Sequence, residues 1–190
     1  MLPAPATPRR NCVRTEKGGA QPTKGEALGR SRGGLTTKLH LAGEGRGRPL
    51  AVVVTEGQRH ESTQLAQVLE AIRVPRRYPD GRPKRGRPRK RPAGLLGDKG
   101  YSYPKCRREL RRRGIPHLIP ERRDQRAQRE KKGSRGGRPC RYAPEEYGER
   151  SWIERLVNRL KQWRRIATRY EKRAENYRAF TLIGCFLLWL

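Results

Sequence analysis

The chain has 190 residues, with 47 Lys and Arg against 18 Asp and Glu, for a formal net charge of +29. This length excludes more than one ordinary domain, and 21 Gly with 15 Pro restrict it to a small core among long basic loops. Self-repulsion of so much positive charge opposes a compact state; nucleic acid relieves it through phosphate contacts and counterion release.

Residues 1 to about 28 are rich in Pro, Gly, Arg and Lys without apolar periodicity, so disorder is expected, and no signal-peptide run is present. Regular structure is expected from near Leu35. Leu35 to Ala42 and Pro49 to Thr55 read as strands, the second rich in β-branched residues at Val52, Val53 and Val54. Gly43, Gly45 and Gly47 between them suit a hairpin turn. Ser62 to Ile72 reads as a helix with Leu65, Val68, Leu69 and Ile72 on one side and Ser62 as N-cap. Pro75 to Pro92 is dense in Arg, Lys, Pro and Gly and reads as a solvated loop able to lie along phosphates.

Gly94 to Gly97 reads as a short strand ending at Asp98. Tyr103 to Arg113 follows as a basic helix stopped by Gly114, then Ile115 to Ile119 as another strand. A second basic, glycine-rich loop is expected at about residues 120–141. A helix is expected from Pro144 towards Tyr170, since proline is favoured in the first helical turn, and a further helix closes the chain. The last twelve residues, Ala179 to Leu190, are apolar but too short to span a bilayer and read as a buried terminal helix. This order fits an α/β layer fold with a mixed sheet. Cys12, Cys106, Cys140 and Cys185, like His40, His60 and His117, show no metal-ligand spacing, and the cysteines read as free thiols in a reducing cytoplasm.

Tyr147, Arg150, Glu154 and Lys161 carry the most information. At about 100° per residue their spacing puts all four on one narrow helical stripe. Trp152, Ile153, Leu156, Leu160 and Trp163 occupy the adjoining arc, the expected buried face. Glu154 alone would be a surface glutamate pairing one turn away, and Asp98 alone would be a turn aspartate capping the next helix.

Taken together, the residues resemble another pattern. Asp98 in Gly97-Asp98-Lys99-Gly100-Tyr101 and the Tyr147–Lys161 stripe are similar to the signature of bacterial insertion-sequence transposases with a DDE triad on an RNase H-like fold. Gly29 to Gly34 with Thr37 to Leu41, Thr55 to Ser62, and Ala167 to Tyr170 resemble further segments of that family, so the likeness covers roughly residues 26 to 190. It implies an RNase H-like mixed sheet flanked by helices, and metal-dependent cleavage and transfer of DNA strands at transposon ends. It also implies Asp98 and Glu154 as ligands of Mg²⁺ or Mn²⁺, with Arg150 and Lys161 on phosphates or orienting Glu154 and Tyr147 packing nearby.

One departure shapes the expectation. The resemblance calls for a first catalytic aspartate on a strand upstream of the hairpin, but the only aspartates are Asp80, Asp98 and Asp124. Glu16 and Glu26 are the upstream carboxylates, and neither sits in a strand-like context. The expectation is a shortened member, with residues 1 to about 25 unrelated to the family, incomplete at the first strand and inactive by itself. The exposed hairpin edge would then invite self-association. The competing readings are an inactive remnant that coats DNA and an unrelated basic RNA-binding protein. DNA, the bacterial cytoplasm with its nucleoid, and no membrane are the expected partners and location.

Overall fold

The computed structural model describes residues 25–31 and 34–190. Most of the segment expected to be disordered, residues 1–24, lies outside the described residues. Strands β1 (Gly29–Ser31), β2 (Gly34–Gly43) and β3 (Pro49–Glu56) form an antiparallel sheet in the order β1-β2-β3. β1 is a strand where the sequence suggested none. It is too short and polar to announce itself, and it forms because Gly34, at φ 102°, lets the chain fold straight back to pair Arg30 with Leu35. β2 and β3 make the expected hairpin, with Leu39 opposite Val54 and Leu41 opposite Val52. Its turn closes through the Glu44 N–H donating to Arg48 O at 2.9 Å, with Gly47 in the left-handed region at φ 76°.

Helix α1 (Glu61–Ala71) begins one residue earlier than expected, and its cap is His60, not Ser62. The His60 imidazole accepts from the Ser62 N–H at 3.2 Å, satisfying a donor that the helix itself leaves open. Residues 75–92 are exposed as anticipated, yet they double back through isolated bridges pairing Val74 with Arg89 and Arg77 with Pro83. β4 (Leu95–Leu96) and β5 (His117–Leu118) are parallel and form a second sheet, each shorter than the sequence suggested. The basic helix α2 (Pro104–Arg112) crosses between them and ends at Gly114, whose φ is 62°.

Two expectations need correction further on. The glycine-rich stretch after Pro120 contains helix α3 (Arg123–Lys131), which has no buried residue and is laced by the Arg126–Glu130 pair at 2.8 Å. The helix expected from Pro144 to Tyr170 is three: α4 (Pro144–Gly148), α5 (Ser151–Lys161) and α6 (Arg164–Ala167). Trp163 is extended, with φ −81° and ψ 115°, and divides α5 from α6. Helix α7 (Ala174–Leu187) closes the described chain and is only half buried. Tyr177, Thr181, Gly184 and Cys185 point inward, while Ile183 and Phe186 are exposed, so the terminal segment is not the wholly buried helix expected. Among the described residues no helix is long and apolar enough to cross a membrane, and Cys106, Cys140 and Cys185 are free.

The mixed α/β fold has two cores on either side of the hairpin. Ala51, Leu65, Leu69, Leu110 and Ile119 build one under α1 and α2. Val52, Leu156, Leu160, Ile166 and Cys185 build the other under α5, α6 and α7. His40 is buried with the first face of the sheet; its Nε2 pairs with Thr55 Oγ1 at 2.8 Å, and burial, helped by the charge of Lys38, lowers its pKa.

The α6–α7 contact depends on a glycine. A Cβ on Gly184 would lie 2.6 Å from Ile166 Cδ1 and 3.2 Å from the Trp163 ring. Gly184→Val is therefore expected to destabilise the fold by about 1–3 kcal/mol, the cost of overpacking. Urea unfolding followed by tryptophan fluorescence checks it, and an unchanged midpoint would show that α7 does not pack where described.

Candidate active site and nucleic-acid surface

Asp98 lies two residues past the end of β4, after Gly97. Its Oδ1 accepts from the Lys99 N–H at 2.6 Å and caps a single 3-10 turn, Lys99–Tyr101, so the capping role of a turn aspartate is real. The other carboxylate oxygen, Oδ2, lies 3.6 Å from Arg150 Nη2. Arg150 is the residue before α5, and its Nη1 donates to Glu154 Oε1 at 2.7 Å, one turn on. One guanidinium thus joins two carboxylates 56 residues apart in the chain, Asp98 just past a strand and Glu154 in a helix.

The burial of the three side chains is unequal. Arg150 is 23% exposed, Asp98 58% and Glu154 63%. Burial alone would lower the Arg150 pKa, but the hydrogen bond to Glu154 and the charges of Tyr147, Asp98 and Glu154 raise it. Arg150 also lies over the Tyr147 ring, 5.9 Å from its centroid. Burial raises the Tyr147 pKa, Arg150 opposes that, and the Asp98, Tyr142 and Glu154 charges add to it.

The stripe therefore assembles in three of its four members. Tyr147, Arg150 and Glu154 meet, although α4 and α5 are separate helices, because Glu149 and Arg150 between them stay right-handed. Lys161 does not join them. It is exposed in the last turn of α5, two turns beyond Glu154, and among the described residues it makes no ion pair or side-chain hydrogen bond. Trp152, expected on the buried face, is 38% exposed beneath the Arg155 guanidinium, 4.6 Å from its ring centroid.

Asp98, Arg150 and Glu154 line a cavity of about 1170 Å³ that also reaches Lys38, Glu61 and Tyr101. Sequence reasoning missed these last three. Lys38 Nζ pairs with Glu61 at 2.8 Å, and the Tyr101 pKa is pushed up to about 12 by burial, then by the nearby charges of Glu61, Cys106 and Asp98. The available signal was Lys38 itself, a charged residue between the apolar positions of a strand. Among the described residues there is no group of three or more His, Cys, Asp or Glu able to hold a metal ion.

The family profile of the transposase DDE domain matches residues 10–190. The chain belongs to the DDE-domain transposases. A Burkholderia cepacia protein assigned as the transposase for insertion sequence element IS402 is 32% identical over 181 residues, covering 95% of this chain and 74% of the relative. No solved structure matches. The match begins at residue 10, so most of the leading segment taken from the sequence as unrelated to the family lies within it.

As a transposase the chain works in DNA transposition, and its charge distribution suits a DNA partner. Arg76, Arg85 and Arg87 are exposed in the 75–92 segment and make no ion pair among the described residues. α2 and α3 present further arginines, though several of these are tied to Glu109 and Glu121. Binding to a random DNA duplex should therefore weaken steeply with salt, each neutralised phosphate adding about −0.9 to the slope of log K against log salt. An Arg85→Ala, Arg87→Ala double variant should flatten that slope by about 2 without changing its sign. A flat response in the parent protein would remove DNA as the partner of this surface.

Proposed function

We propose that this chain is an insertion-sequence transposase whose Asp98 and Glu154 bind a divalent ion, Mg²⁺ or Mn²⁺, at an RNase H-like site that is incomplete for cleavage. The single observation that carries the reading is the Asp98–Arg150–Glu154 bridge. It unites a carboxylate at a strand end with one on a helix, the two positions singled out by the family resemblance. An antiparallel hairpin, a helix and then a parallel strand pair support the RNase H-like architecture.

The donor set fits a hard cation. Mg²⁺ is held by one or two carboxylates, with waters and substrate phosphates completing its shell, whereas zinc wants nitrogen or sulfur. Asp98 and Glu154 are both exposed enough to be reached, and Glu154 Oε2 makes no hydrogen bond among the described residues. A bound ion supplies Lewis-acid stabilisation of charge on phosphate oxygens. A pair of ions does not fit, because no third carboxylate joins these two among the described residues.

The protein's own groups have separate tasks. Arg150 holds the two carboxylates together and neutralises their mutual repulsion while the site is free of ligand. Its planar, half-buried guanidinium also matches a DNA phosphate, which would compete with Glu154 and Asp98 for the same donors. Tyr147 walls the guanidinium on its ring face and so limits the directions it takes. Lys161, two turns along α5, is placed to meet a phosphate further along a DNA strand and not the reacting one.

Mn²⁺ titration followed by electron paramagnetic resonance, with supercoiled-plasmid nicking in parallel, tests this reading. Weak, saturable Mn²⁺ binding is expected, reduced about tenfold or more in Asp98→Asn and in Glu154→Gln, with DNA affinity nearly unchanged. The parent chain should not nick the plasmid with either ion. Binding indifferent to both substitutions would sink the metal assignment, and nicking lost in Asp98→Asn would show the site to be complete.

A further inference from the structure

The segment from Val74 to Arg89 folds back on itself unevenly. Between the two bridges the outgoing arm takes three steps, Val74 to Arg77, and the return arm takes six, Pro83 to Arg89. The surplus bulges out at Arg85, Gly86 and Arg87, all three exposed. Gly86 has a φ of 124°, a conformation that side chains resist, and a Cβ there would meet nothing within 4 Å. The glycine therefore serves the bend and leaves the backbone bare; nothing in the chain packs against it.

The base of this bulge is fastened. The Arg89 N–H donates to Val74 O at 2.8 Å, and the Lys84 N–H to Arg76 O at 2.9 Å. Val74 packs against the first core, and Pro88 keeps Arg87 out of helical geometry. The cations of the return arm divide into two groups. Arg82 pairs with Asp80, Lys84 lies over the Tyr78 ring, and Lys90 pairs with Glu70. Arg89 and Arg91 donate to the carbonyls of Arg91 and Gly114. Among the described residues, only Arg85 and Arg87 of this run have no partner, and the N–H groups of Arg85, Gly86 and Arg87 make no hydrogen bond. The bulge thus offers donors alone, on the thinnest backbone a protein can present.

One surface of duplex DNA matches that description. The minor groove, about 6 Å wide, is too narrow for a helix, and at A·T pairs it shows only acceptors, adenine N3 and thymine O2. A G·C pair adds the guanine amino group, a donor that opposes the same approach. A·T tracts also narrow the groove and deepen its negative potential, and a guanidinium sheds water more readily than an ammonium on entering it. We propose that Arg85-Gly86-Arg87 inserts into the minor groove of A·T-rich duplex DNA, its two guanidinium groups and free N–H groups meeting the base edges. The insertion gives the chain a preference for base composition, which phosphate contacts cannot supply. It rests on DNA being the partner of this surface and is independent of the metal reading.

Fluorescence anisotropy with the full 190-residue chain and labelled duplexes of equal length, at a single salt concentration, tests this. An A·T DNA duplex should bind about tenfold or more tightly than a G·C one. A duplex of inosine paired with cytosine separates the grooves. It keeps the hydrogen-bonding edge of G·C in the major groove but lacks the amino group in the minor groove, so it should bind like A·T. An A·U RNA duplex, whose minor groove is wide and shallow, should bind no better than G·C DNA. The variant Arg85→Lys, Arg87→Lys keeps every charge in an exposed bulge; it should cut the A·T preference by about threefold or more and leave the salt dependence unchanged. Equal affinity for A·T and G·C duplexes overturns the proposal while DNA binding stands, and binding to neither removes both. An inosine duplex that follows G·C assigns the bulge to the major groove, and A·U RNA that matches A·T DNA assigns it to RNA; either overturns the proposal. So does an A·T preference that survives the double variant, since the selectivity then lies elsewhere.

Discussion

The organisation of this protein depends on a hairpin buried on both faces. Ala51 and Val52 are neighbours in β3, yet the first packs under α1 and α2 and the second under α5 and α7. Alternation along a strand does this without special chemistry, because successive side chains point to opposite faces. Its consequence is positional. Each core fixes one group of helices against the same two strands, and the glycines of the turn let the α5 layer come close. A Cβ on Gly43 would stand 2.9 Å from Leu156, so this approach requires a residue without one. The start of α5, and with it Arg150 and Glu154, is thereby held over the sheet end from which Asp98 emerges.

Charge is the second organising constraint. With 18 acidic residues among 47 Lys and Arg, most ordered carboxylates have cations close at hand. The carboxylate of Glu109 is held down to about 2 by hydrogen bonds from Arg112 and Arg113, and Glu121 is lowered by Arg129. These pairs organise basic helices locally and are exposed enough that each contributes little to stability. Arg113, like Arg150, pairs with two carboxylates from different elements, Glu70 and Glu109, but Lys90 and Arg112 share that load, whereas among the described residues Asp98 and Glu154 have ion pairs with Arg150 alone. Here the acids are in excess over the cation, in a chain where the reverse holds nearly everywhere. That local inversion is what distinguishes the site from the rest of the surface.

The hairpin, α1 and the strand before Asp98 were legible because each carries an apolar period or a β-branched run. α3 was not, since it has no apolar stripe and is held by ion pairs such as Arg126–Glu130 and Glu121–Arg129, which periodicity cannot register. β1 escaped for a related reason: Gly29, Arg30 and Ser31 have no strand propensity, and the pairing comes from the reversal at Gly34. The break at Trp163 was hidden because an aromatic residue in an amphipathic pattern carries no stop signal of its own. In the candidate site, the spacing placed Tyr147, Arg150 and Glu154 together correctly and brought Asp98 to them through the family resemblance. Lys161 shares the stripe but lies two turns beyond Glu154, too far along α5 to touch the other three.

The two sheets and the carboxylate pair are linked through β4. Asp98 lies two residues past the end of β4, and its carboxylate divides its two oxygens between the Lys99 N–H and Arg150. β4 has only two residues in its ladder, so the position of Asp98 rests on the few bonds it shares with β5 and on Ile119 packing against Gly97, where a Cβ would come within 3.0 Å. Any shift of β4 against β5 is therefore passed to Asp98 and through it to Arg150 and Glu154, so the geometry of the carboxylate pair depends on a two-residue ladder and one shared guanidinium.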